Sequence, residues 1–127
     1  MADPNSVHTL ILAKKEQLAK RIKQPLAELA EMCSEIWPDQ KQIDEILRHE
    51  IGAIPDCSLL YAWNVEGHVI SCMILPDRID DSWLGRDLQE RPYLTKHLPY
   101  MGIMLSSVYR SDYDGRECIT ALQAVNR

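Results

Sequence analysis

Near residue 58 the apolar residues of this chain change their period. Before that point Ile11, Leu18, Ile22, Leu29, Met32 and Ile36 recur at near-heptad spacing, and Leu26 and Cys33 widen the stripe. Such a stripe predicts one long amphipathic helix over residues 6–37. Asp3 or Ser6 suits its N-cap, and Pro4 suits a first-turn position. Pro25 lacks the N–H an interior helical residue donates, so a kink or restart is expected there. Trp37 precedes Pro38, where helical backbone is disfavoured, and the run ends. A second helix is predicted over 39–51, capped by Asp39 and stopped by Gly52. Its buried face is Ile43, Ile46, Leu47 and Ile51.

After residue 58 the pattern alternates. In "SLLYAWNV", Leu59, Tyr61, Trp63 and Val65 share one face, and Leu60 and Ala62 the other. Asn64 to Gly67 reads as a turn, and "HVISCMIL" as the returning strand. A polar connector follows, then a second hairpin of "GIMLSSVY" and "CITALQAV", turning at Asp114-Gly115. Helix, helix, hairpin, connector, hairpin predicts an α+β fold: an antiparallel sheet with both helices on one side. The chain reads as a single domain, with a helical part over 1–37 and a sheet-containing core over 38–127.

Composition removes several function classes. The net charge of −5 argues against nucleic-acid binding, which needs a basic surface. No apolar run approaches the roughly 20 residues of a membrane span. The opening "MADPNSVHTL" lacks the layout of a secretory signal. Cys33, Cys57, Cys72 and Cys118 form no Cys-x-x-Cys pair and read as free thiols of a reducing compartment. His49, His68 and His97 lie on different elements without metal-ligand spacing. Ser106-Ser107 lacks a nucleophile elbow, and Asp80-Asp81 reads as a solvated turn. No phosphate-binding glycine loop occurs. The expectation is a protein that is not an enzyme and carries no cofactor or metal.

The connector from Pro76 to about Tyr100 is longer than most, and long ordered connections tend to be functional. It holds Trp83, Arg91, Tyr93, His97 and Tyr100. Here the sequence resembles the Cache (PDC) sensor domains, which are PAS-like. "LYAWNVEGHVIS" is similar to their first hairpin with its Asn-x-x-Gly turn. Gly85, Asp87, Leu88, Arg91, Pro92 and Tyr93 match their Gly-x-Asp-apolar stretch leading to Arg-Pro-Tyr. "GIMLSSVYRSDYDGRECITALQAV" looks like their next hairpin, and the long first helix also fits. The resemblance implies a PAS-like antiparallel sheet cupped by the connector, with a ligand pocket between them. Family members bind small carboxylates, amino acids or related metabolites. An arginine offers such ligands a planar fork of donors. Arg91 and Tyr93 match the motif and are expected ligand contacts. Ser107 and Tyr109, in parity with Ile103 and Leu105 on the third strand, join them, as does Thr120 on the fourth. Trp83 is the expected lid.

Each of these has a structural competitor. Arg91 has Asp87 and Glu90 within pairing reach, Tyr93 suits a core, and Trp83 suits a cover over the core. Family members usually add a fifth strand, whereas this sequence stops at Asn126-Arg127, so truncation or a completing partner is expected. A cytoplasmic location is expected, or an extracytoplasmic one if the sequence is a fragment of a membrane receptor. The near-heptad helix is long enough to pair with a second copy. The expectation is therefore a bacterial sensing domain that binds a small carboxylate or amino acid and signals through a homodimer. In related architectures the output is a kinase, a chemotaxis receptor or cyclic di-GMP turnover. The competing reading is a PAS-like interaction domain that only dimerises around a collapsed pocket.

Overall fold

The structure, a computed structural model, describes residues 4–88, 103–105, 109–111, 113–118 and 120–125. Helix α1 spans Pro4–Ile36 and helix α2 spans Gln40–Glu50. α1 starts at Pro4, which has no N–H to leave unpaired. It runs through Pro25 as one helix, so the expected restart does not occur. Ile22 and Leu29 are buried on either side of Pro25 and hold both halves to the same core. Their burial offsets the roughly 3 kcal/mol that an interior proline costs.

The Trp37–Pro38 peptide is cis. Asp39 then caps α2, its Oδ1 accepting the Gln42 N–H at 3.0 Å. Ile43, Leu47 and Ile51 are buried as expected, and Ile46 is half-buried. Gly52 is not the stop. The chain tightens into a 3-10 turn over Ile51–Ala53 and leaves it at Ile54, whose backbone is extended.

The strands are short: β1 (Met73–Ile74), β2 (Ile79–Asp80), β3 (Ile103–Leu105), β4 (Tyr109–Arg110), β5 (Glu117–Cys118) and β6 (Ala121–Gln123). The predicted first hairpin exists as a discontinuous ladder. Leu60 pairs with Ile74 and Trp63 with Val69, and the Ile70 N–H reaches the Ala62 carbonyl at 3.0 Å. Between those pairs the returning arm carries two more residues than its partner, so the strand bulges at Ser71 and Cys72. The turn falls at 64–67 as read, with Gly67 at φ 85° and the Asn64 side chain accepting from Glu66 and His68 at 3.0 Å. Val65 sits in that turn and is 95% exposed, so it leaves the aromatic face it was assigned to.

Two further segments pair with the returning arm. β2 lies antiparallel to β1, and residues 85–88 run antiparallel to 67–69 through a His68–Asp87 bridge. In the second hairpin β3 pairs with β6 and β4 with β5, turning at 111–116 with Gly115 at φ 72°. The register shifts by one residue between those two pairings, because an extra residue lies between Leu105 and Tyr109. Ser107 lies outside the described residues, and Tyr109 is described only by its backbone pairing with Cys118.

The described strands form three separate two-stranded antiparallel sheets rather than the single expected sheet, and the returning arm that carries β1 has two different faces. Ile70, Cys72 and Ile74 pack toward the helices with Leu29 and Cys33 of α1 and Ile43 and Leu47 of α2. Val69 and Met73 face the other way, with Leu59, Tyr61, Trp63 and Leu122. The alternation read from residues 59–63 holds: odd positions join the second cluster, even positions the first. The apolar stripe of α1 is spent on its own core, since Ile22, Leu29 and Cys33 are buried there and Leu18, Leu26 and Ile36 pack against them. Met32 lies off that core at 39% exposure. Among the described residues no helix is long and apolar enough to cross a membrane.

Candidate functional site

Among the described residues, four aromatic side chains lie on the face opposite the helices, while Trp37 packs with the helices. Met73 and Leu88 are fully buried there and Val69 nearly so, with Tyr61, Trp63, Trp83 and Tyr113 half-buried around them. A four-residue turn over 82–85 sets Trp83 on this cluster, and Gly85 closes it at φ 82°. The Gly85 N–H then donates to the Val69 carbonyl at 2.8 Å, and the Leu88 N–H to the Gly67 carbonyl at 2.8 Å. These bonds give the Gly-x-Asp-apolar stretch a structural task. Its glycine makes the turn, Asp87 pairs along the sheet edge, and Leu88 plugs the core.

Trp83 is held from two sides. The Arg86 guanidinium lies 4.0 Å from the centre of its ring, a cation–π contact. Tyr113, from the turn of the second hairpin, meets it edge-on with ring centres 5.5 Å apart at 75°. The Tyr113 hydroxyl donates to Asp80 Oδ2 at 2.7 Å, and the Ser82 N–H donates to Asp80 Oδ1 at 2.9 Å. The Tyr113 hydroxyl, and then the Ser82 donors, hold the Asp80 carboxyl down at about 2. Burial, and then the facing Asp80 carboxylate, raise the Tyr113 phenol. Asp80 is thus no free member of a solvated acidic turn. It ties the connector to the second hairpin.

Of the expected site residues, Trp83 is half-buried against the second cluster. Thr120 is half-buried in the link between β5 and β6. Tyr109 is in β4, paired with Cys118, and only its backbone is described. Arg91, Tyr93 and Ser107 lie outside the described residues. Asp80, Arg86 and Tyr113 escaped the sequence reading. Their partners lie on different elements, and only the Asp114-Gly115 turn hinted that Tyr113 would be carried to the connector.

A second polar cluster lies under the other face. At the bulge the Cys72 N–H leaves the ladder and donates to Asp44 Oδ1 of α2 at 2.8 Å. Gln40 Nε2 donates to Asp44 Oδ2 at 2.6 Å. Ser71 is fully buried, its hydroxyl accepting the Ala62 N–H at 2.7 Å and donating to the Cys72 carbonyl at 2.9 Å. Burial, and then the facing Asp44, push the Cys72 thiol up to about 11. Burial alone pushes Cys33 up to about 11. Such thiols are poor nucleophiles at neutral pH. Among the described residues no group of three or more His, Cys, Asp or Glu side chains is placed to hold a metal ion.

Comparison with protein-family models, with curated proteins and with solved structures finds no match.

Proposed function

We propose that this chain is a non-catalytic sensing module that binds a small carboxylate or amino-acid-like ligand on the sheet face opposite its helices and signals as a homodimer. The observation that carries the reading is the two-faced sheet. Helices close one side, and the other presents half-buried Tyr61, Trp63, Trp83 and Tyr113. Aromatic walls suit the apolar part of such a ligand, and an arginine suits its carboxylate. The resemblance of residues 84–102 to a Cache (PDC) motif supports the same assignment, with PAS-like topology as part of it. Ser107, Tyr109 and Thr120 complete the proposed ligand-contacting set.

One observation favours a second reading. Met73 and Leu88 are fully buried on the aromatic face, as in an interaction domain whose pocket is filled by its own side chains. A thermal-shift screen against carboxylates and amino acids, with Arg91→Ala in parallel, separates the two. A ligand at ~100 times its dissociation constant adds roughly 2.7 kcal/mol. A shift lost in Arg91→Ala supports the sensor. No shift from any compound, in a chain that still dimerises, supports the interaction domain and refutes the sensor.

A further inference from the structure

The outer face of α1 carries a second stripe that its own protomer does not bury. Lys14, Gln17, Arg21, Gln24, Glu28, Glu31 and Glu35 step by three and four residues, and all are exposed. The stripe is polar, with its signs segregated. Both cations come before Gln24 and all three carboxylates after it. This is costly in an isolated helix. Glu31 and Glu35 stand one turn apart and repel, and Glu35 sits in the last turn, which favours cations. Internal contacts meet little of that cost. Arg21 pairs with Asp56 at 3.2 Å with both groups exposed, and Gln24 donates to Glu28 at 3.1 Å. A local rule broken without gain in the protomer points to an interaction elsewhere.

The acidic half of the stripe forms one bank of an open groove of about 510 Å3 between α1 and α2. Met32, Ile36 and Ile46 give the groove an apolar floor beneath Glu28, Glu31 and Glu35. We infer that a second copy of this chain docks there antiparallel, laying the basic half of its α1 along the acidic half of the first, about a two-fold axis near Gln24. That register sets Lys14 opposite Glu35 and Arg21 opposite Glu28, each pair occurring twice by symmetry. A parallel pairing would stack carboxylate on carboxylate and cation on cation along the same stripe. The sign pattern therefore selects the orientation as well as the partner. The inference deepens the homodimer proposed above and rests on that reading.

The test measures mass in solution by light scattering and sedimentation, on wild type and on two variants, Glu28→Lys/Glu35→Lys and Lys14→Glu/Arg21→Glu. Wild type is expected to dimerise. Its dissociation constant should rise roughly tenfold or more between ~0.1 M and ~1 M salt, as the screening length falls from about 10 Å to about 3 Å. Each variant alone should be monomeric, and an equimolar mixture should form the heterodimer. The charge-reversed chain carrying all four substitutions should dimerise again, which rules out misfolding as the cause of the loss. A dimer that persists in both variants overturns the inference and leaves the homodimer standing. A wild-type monomer at every salt concentration overturns both, while ligand binding is read separately by thermal shift.

Discussion

Replacing Asp44 with alanine removes the carboxylate that ties α2 to the bulge at Ser71-Cys72, and leaves Gln40, whose Nε2 donates to Cys72 Sγ at 3.6 Å, as the other described side-chain contact there. The Cys72 N–H loses its acceptor at 2.8 Å, and Gln40 loses its own at 2.6 Å. Cys72 is only 6% exposed, so little of it is open to a replacing water. Orphaning a buried donor that was bonded to a charged acceptor costs about 1–3 kcal/mol. Alanine returns about 0.5 kcal/mol through its better helix propensity. The expected net loss is about 2 kcal/mol, a fall in Tm of roughly 8 °C for a domain of this size. Asp44→Asn retains an acceptor for Cys72 and should lose less than half as much. Denaturant unfolding of the three proteins, followed by circular dichroism, measures both differences. A loss under about 0.5 kcal/mol in Asp44→Ala, or equal losses in the two variants, would refute the argument that this bond holds the bulge.

Further outcomes follow from the same geometry. Met73→Ala, in a fully buried position, should cost about 3 kcal/mol by denaturant unfolding if the aromatic face is packed without a cavity. A loss below about 1 kcal/mol would show that this side already has room. Tyr113→Phe should return the Asp80 carboxyl from about 2 toward the ordinary carboxylate range, read by an NMR pH titration. Asp80 is depressed in the fold, so the stability it contributes is complete above its unfolded pKa of about 3.9 and fades as pH falls through about 2. Tyr113→Phe should reduce that acid dependence, the Ser82 donors still holding the carboxyl partly down, and an unchanged titration would refute the assigned bond. Cys33 and Cys72, both raised to about 11, should react with alkylating reagents at pH 8 only at the rate of local opening, and fast labelling of the native protein would contradict their burial.

The helices were largely legible because their signals are local. Asp39 supplies the cap and Ile43, Leu47 and Ile51 the buried face, all from residues within a few positions of one another. The restart expected at Pro25 does not occur for the opposite reason: the cost of proline is local, but the burial of Ile22 and Leu29 that overrides it comes from the assembled core. The alternation of residues 59–63 survives because each face meets an apolar layer. The bulge at Ser71-Cys72 is invisible along the chain, since its acceptor is an aspartate 28 residues earlier. At the candidate site Trp83 could be singled out by its isolation in a polar loop. Arg86 and Tyr113, which hold it, could not, because their roles depend on two turns meeting in space.

The returning arm from His68 to Leu75 is a partition one backbone thick. Met73 touches the aromatic side while its neighbours Cys72 and Ile74 touch the helical side. In an unbulged strand such neighbours are locked by ladder bonds on both edges. Here one bond is diverted to Asp44, so α2 holds the strand directly at its weakest point. Any push that moves Met73 is therefore felt at Asp44 of α2 without passing through a second layer of side chains. The same short path makes α2 a stop that limits how far the aromatic side yields.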